Sequence, residues 1–124
     1  MDELTVLHNP RCSNSRAALE AALEAAGPDA AASVQVVEYL KAPLGAAALR
    51  DLLAVLEDPP SALVRRDPAF AELGLTEDDV RTAEQVAALL AEHPALMQRP
   101  VLIRDGRAII GRPRERVAAF LDNR

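Results

Sequence analysis

The chain has little to staple itself together. Its 124 residues hold one cysteine, no tryptophan, two phenylalanines and one tyrosine. A single cysteine excludes a disulfide within the chain, and no Cys/His cluster offers a structural metal site. With so few aromatics, alanine, leucine and valine must fill the core. Half of the residues are apolar, so a chain of this length can bury enough surface to fold unaided. No run approaches the ~18 apolar residues of a membrane span. The stretch from Met1 to Leu7 lacks the basic start and long apolar run of a secretion signal. A net charge of −5 argues against nucleic acid and acidic membranes as partners, while leaving room for a local basic pocket. These features predict a cytoplasmic protein whose free thiol stays reduced.

What is present reads as an α/β chain. Thr5-Val6-Leu7 is a short β-leaning run that stops at His8-Asn9-Pro10. Leu19 and Leu23 keep a helical spacing in the run Arg16 to Ala26, which Ser13 or Asn14 can cap and Gly27-Pro28 ends. Ser33 to Leu40, with Val34, Val36, Val37 and Tyr39, reads as a second strand. Together these make a βαβ unit, expected to be parallel and right-handed.

A helical middle follows: Ala46 to Glu57, a short piece over Ser61 to Arg66, another opened by Asp67-Pro68 and closed near Gly74, and one within Thr76 to Glu92. The period then changes. Pro100 to Arg104 and Arg107 to Ile110 flank Asp105-Gly106 as an antiparallel hairpin. Gly111 breaks the second strand, and Pro113 suits the first position of a last helix through Val117 and Phe120.

Cys12 falls in the turn between the first strand and the first helix, the carboxyl end of a strand where open α/β sheets bind ligands. Helix N-termini present unpaired N–H groups and partial positive charge, which hold an anion and lower a thiol's pKa. The polar neighbours Arg11, Ser13, Asn14 and Ser15 speak against an inert apolar burial. Ser15 stands where a Cys-x-x-Cys motif would place its second thiol. It can donate a hydrogen bond to a thiolate but cannot resolve a disulfide, so any disulfide chemistry needs an external thiol. A Cys-x5-Arg phosphatase loop fails on spacing, because Ala18 occupies the arginine position. His8 can tune the thiolate or merely end the strand.

His8-Asn9-Pro10-Arg11-Cys12-Ser13-Asn14-Ser15-Arg16 resembles the H-N-P-x-C-x-x-S-R signature of ArsC-type arsenate reductases, in the form of a chromosomal branch. Glu38-Tyr39-Leu40 with Pro43, Ala62 to Arg66, Glu72 to Leu75, His93-Pro94, Gln98-Arg99-Pro100 and Gly111-Arg112-Pro113 follow in the family's order across the chain. The resemblance implies one thioredoxin-like domain over residues 1–124, with a helical insertion at about 44–93 between the second and third strands. It implies a cis bond before Pro100. By position, Arg65, Arg99 and Arg112 match the family's anion-binding arginines, joined at the helix start by Ser13, Asn14 and Ser15. Guanidinium groups suit a doubly charged tetrahedral oxyanion.

The implied chemistry is attack of the Cys12 thiolate on arsenate, reduction by glutathione or another low-molecular-weight thiol, and resolution by glutaredoxin. No bound cofactor or metal is expected. Two alternatives share the resemblance: a thiol oxidoreductase with another substrate, and an Spx-like regulator that binds RNA polymerase. The regulators usually carry Cys-x-x-Cys, where this chain has Ser15.

Overall fold

The computed structural model describes residues 3–122; the outermost positions of the expected 1–124 unit, 1–2 and 123–124, lie outside the described residues. Strand β1 (Leu4–His8) leads through a tight turn into helix α1 (Ser13–Ala26). A 3-10 turn (Gly27–Asp29) and the short helix α2 (Ala30–Ser33) connect to β2 (Val34–Glu38). Helices α3 (Ala46–Val55), α4 (Pro68–Glu72) and α5 (Ala83–Glu92), with three further 3-10 turns, lie between β2 and the hairpin β3 (Val101–Arg104) and β4 (Arg107–Ile110). Helix α6 (Glu115–Asp122) follows.

The sheet order is β2-β1-β3-β4. β1 runs parallel to β2, with Val6 opposite Val36, and antiparallel to β3, with Val6 opposite Leu102. β3 pairs antiparallel with β4. This mixed four-stranded α/β sheet has the thioredoxin-like arrangement. Asp105 and Gly106, both at positive φ, make the hairpin turn between β3 and β4.

Alternation along the strands divides the core into two layers. Leu4 and Val6 of β1, Leu102 of β3 and Ile109 of β4 face α1 and α6, where Ala18, Ala22, Val117 and Phe120 meet them. Leu7, Val101, Ala108 and Ile110 face the opposite way, against α3 and α5 through Leu49, Leu53, Val86 and Leu90. Small residues on α1 let that helix lie close to the sheet. Among the described residues no helix is long and apolar enough to cross a membrane.

Several boundaries differ from the expectations. The first helix begins at Ser13 rather than near Arg16; Cys12 itself is the residue at its N-cap, so neither Ser13 nor Asn14 caps it. Beyond Gly27 (φ +61) the chain re-enters helical geometry in an alanine-rich stretch, so helical structure continues to Ser33. β2 stops at Glu38, and the amides of Lys41 and Ala42 both turn back to its carbonyl. The expected Ser61–Arg66 helix is a 3-10 turn over Pro60–Leu63; Val64 leaves it to bridge Met97. Thr82 divides the 76–92 region by capping α5 with its own box to Gln85. Pro113 is not the first residue of the last helix, which starts two residues later at Glu115.

Candidate functional site

The site forms where the carboxyl end of β1 meets the segments that enter β3 and leave β4. Asn9 starts the turn. Its carbonyl accepts the Cys12 amide at 3.0 Å, and its side chain accepts the Arg11 amide at 3.0 Å. Pro10 and Arg11 complete the turn, so Cys12 arrives in an extended conformation (φ −97°, ψ 123°) immediately before α1. The Arg16 amide then donates to the Cys12 carbonyl at 2.9 Å, the first helical bond. The amides of Asn14 and Ser15 are thereby free to face the sulfur.

Cys12 is 9% exposed and borders the apolar core, yet its sulfur is not in a hydrocarbon interior. Arg112 Nη2 donates to Sγ at 3.4 Å. Burial pushes the thiol up. The Ser15 amide, the Arg99 guanidinium and the Asn14 amide outweigh it and leave the thiol below its ordinary value. Two arginines therefore act on one sulfur, Arg112 by direct contact and Arg99 by hydrogen bonding and charge.

Arg99 and Arg112 are themselves joined, since Arg112 Nε donates to the Arg99 carbonyl at 2.7 Å. The peptide bonds Arg99–Pro100 and Arg112–Pro113 are both cis. Between them, the Gly111 amide donates to the Pro100 carbonyl at 2.8 Å. A Cβ at Gly111 would stand 2.9 Å from Pro100 Cγ and 3.0 Å from Val117 Cγ2, so only glycine lets the two segments approach this closely. Beyond β4, Asp58 accepts the Ile110 amide at 3.0 Å, while Arg116 donates to Asp58 and to the Ile110 carbonyl at 2.6 and 2.9 Å. This clamp fixes the residue before Gly111.

The other sequence-derived candidates fall differently. Ser15 is fully buried, and its hydroxyl lies 2.7 Å from His8 Nδ1 and accepts the Asn9 amide at 2.9 Å. It thus braces the turn, and it is the amide of Ser15 that reaches the sulfur. His8 is buried too. Burial, aided by the Arg16 charge and opposed by Glu38, lowers its pKa, so the ring is neutral at pH 7 and Ser15 can donate to it. Asn14 Oδ1 accepts from Arg114 at 2.7 Å, which turns that side chain toward α6. Ser13 is exposed at the helix start.

Arg65 forms a 3.0 Å ion pair with Asp67. Its backbone is tied to the segment before Arg99, with its amide donating to Leu96 at 2.8 Å and the Gln98 amide donating to Leu63 at 2.7 Å. The described contacts link Cys12, Arg99 and Arg112 and do not bring the Arg65 side chain to the sulfur.

Three residues were not singled out for the site from the sequence: Asn9 as the turn acceptor, Gly111 as the point of close approach, and Tyr39. Tyr39 follows β2, is 1% exposed, and lies beside Asn9, Arg99 and Cys12. Burial, the largest influence, raises its pKa and keeps the phenol protonated. The sequence signal for Gly111 and Tyr39 is their place in the short motifs Gly111-Arg112-Pro113 and Glu38-Tyr39-Leu40, which carries no geometry. Among the described residues no cluster could hold a metal ion.

Comparison with known proteins places this geometry among relatives. The ArsC family profile matches residues 7–120. An arsenate reductase of Neisseria meningitidis is 37% identical over 123 residues, covering 98% of this chain and 100% of that protein. A solved structure from Yersinia pestis superposes with a TM-score of 0.78 at 34% identity, covering 94% of this chain and 99% of that one. An arsenate reductase from Vibrio cholerae superposes with a TM-score of 0.74 at 30% identity, covering 95% and 97%.

Proposed function

Since the chain belongs to the ArsC family, we propose that it is an arsenate reductase working in the cytoplasm through a covalent adduct on Cys12. The observation that carries this reading is the sulfur of Cys12 at the start of α1, in contact with Arg112 at 3.4 Å and held below the ordinary thiol pKa. The same groups that favour a thiolate favour a tetrahedral oxyanion beside it.

In the first step the Cys12 thiolate attacks As(V). One arsenate oxygen leaves as water after protonation, and an S–As bond forms. A glutathione thiolate then attacks the Cys12 sulfur. The S–As bond breaks with its electron pair going to arsenic, which departs as As(III) arsenite. The two electrons come from the two sulfurs, now joined as a Cys12–glutathione disulfide. Glutaredoxin takes the glutathionyl group and returns the Cys12 thiolate. No second cysteine in this chain could perform that last exchange, which favours an external thiol. Arg99 and Arg112 bind the oxyanion and offset its charge during attack; Arg65, here paired with Asp67, is the third arginine that the family resemblance assigns to the pocket. Ser13, Asn14 and Ser15 contribute through the amides at the start of α1.

A coupled assay with arsenate, glutathione, glutaredoxin, glutathione reductase and NADPH tests the proposal. Arsenate-dependent NADPH oxidation is expected with the wild type and not with Cys12→Ser. Turnover retained in that variant overturns the assignment of the nucleophile. Turnover with another low-molecular-weight thiol but not with glutathione overturns the donor alone.

A further inference from the structure

Among the described residues, two buried side-chain polar atoms have no partner in hydrogen-bond geometry: Tyr39 Oη and Arg99 Nε. Such atoms are rare in folded proteins and costly unless something fills them. Both belong to the wall around Cys12. The Asn9 and Arg99 side chains approach the Tyr39 hydroxyl closely enough to favour its ionised form against burial, but neither meets it with hydrogen-bond geometry. Arg99 Nε is a donor only, and a protonated phenol can donate as well. Two neighbouring donors without an acceptor, on side chains that both act on the nucleophilic sulfur beside a second guanidinium, suit one oxygen of an anion.

We propose that Tyr39 is an oxyanion-binding residue, whose hydroxyl, with Arg99 Nε, donates to one oxygen of the tetrahedral substrate as it sits against Cys12. The inference deepens the anion-pocket part of the reading above. The tyrosine is 1% exposed and packs in the core with Leu49, Leu90 and Met97, which hold it against the helical layer. The hydroxyl is therefore positioned before substrate arrives, and little ordering is needed on binding. Being neutral, this donor adds no charge that would hold phosphate or sulfate regardless of fit. Its contribution depends on where the oxygen lies, because a hydrogen bond weakens steeply off its preferred geometry.

The chain contains one tyrosine and no tryptophan, so the phenol can be observed alone. Protein carrying 3-fluorotyrosine is titrated with sulfate, a tetrahedral oxyanion that does not react with the thiol, and followed by fluorine NMR. The same titration by calorimetry compares wild type with Tyr39→Phe, which deletes only the hydroxyl. The expected result is a fluorine resonance that shifts and saturates with the calorimetric Kd, and affinity at least about tenfold weaker in Tyr39→Phe.

A resonance unmoved by saturating sulfate, as when a buried water already bridges the two donors, overturns the proposal. Equal affinity in the two proteins does the same, and so does a wild type that binds no sulfate. If Tyr39→Phe fails to fold, the fluorine shift in the labelled wild-type sequence still decides. Arsenate turnover is read separately. Its absence, with the shift intact, removes the reductase reading and leaves the donor pair standing.

Discussion

At the residue scale, the chemistry depends on how one sulfur is kept ionised near its apolar surroundings. Burial alone would hold Cys12 protonated; the amides of Ser15 and Asn14 and the guanidinium of Arg99 reverse that. Cys12 should therefore be alkylated by iodoacetamide with a rate–pH midpoint below the ordinary thiol value of about 8.5. Arg112→Ala should move that midpoint upward and weaken sulfate binding by roughly 1.5–3 kcal/mol. A midpoint at the ordinary value in the wild type contradicts the electrostatic account.

Gly111 makes a different demand. Gly111→Ala places a methyl group against Pro100 and Val117, at a cost of about 1–3 kcal/mol in thermal or urea unfolding. Because Arg112 is the next residue, the same variant should raise the arsenate KM. Unchanged stability and KM would show that the two segments can part at little cost.

At the element scale, each piece of the site is delivered by a cap or a clamp. α5 is a useful contrast, since its capping box joins Thr82 and Gln85 far from the sulfur in the described contacts. Thr82→Ala should cost about 1 kcal/mol of stability and leave the Cys12 alkylation profile where it was. A shifted profile would reveal coupling between that helix and the site. The clamp of Asp58 and Arg116 on Ile110 behaves oppositely. Asp58→Ala removes the acceptor of the Ile110 amide and the partner of Arg116, so both stability and the alkylation profile should change.

Much of this level was legible in sequence. β-Branched runs and the Asp105-Gly106 pair gave the strands and hairpin, and leucine spacing gave α3 and α5. Other boundaries were not legible, and Val64 shows why: it leaves its expected helix for a partner 33 positions away. Long-range pairing has no local sequence signal.

At the scale of the whole molecule, the sheet separates two apolar layers and gathers Cys12, Arg99 and Arg112 at one end. The chain's resemblance to a family supplied the two arginines that meet at Cys12; composition and periodicity alone would have left them on the surface. That resemblance could not show that Arg65 faces Asp67, that Asn14 faces Arg114, or that Tyr39 is buried beside Arg99 and Asn9, because these depend on side-chain directions set by packing.

The buried His8 adds a global consequence. Its native pKa lies below the unfolded value of about 6.5, so between the two values the unfolded chain binds more protons. The resulting stability is complete above pH ~6.5 and is lost as pH falls through the native value. Urea unfolding should therefore show stability declining on acidification below that point, and His8→Gln should flatten this part of the profile. An identical slope in the variant would assign the decline to other groups.

The contact between Arg112 and the Cys12 sulfur spans 100 positions of sequence and is delivered by the pairing of β1 with β3 and of β3 with β4. Local helix formation can bring back the amides, but not the guanidinium groups. During refolding, fast labelling of the sulfur at mildly acidic pH should thus reappear with the slow closure of distant strands and trail the recovery of helical circular dichroism. One atom then serves as a clock for the joining of the two ends of the polypeptide.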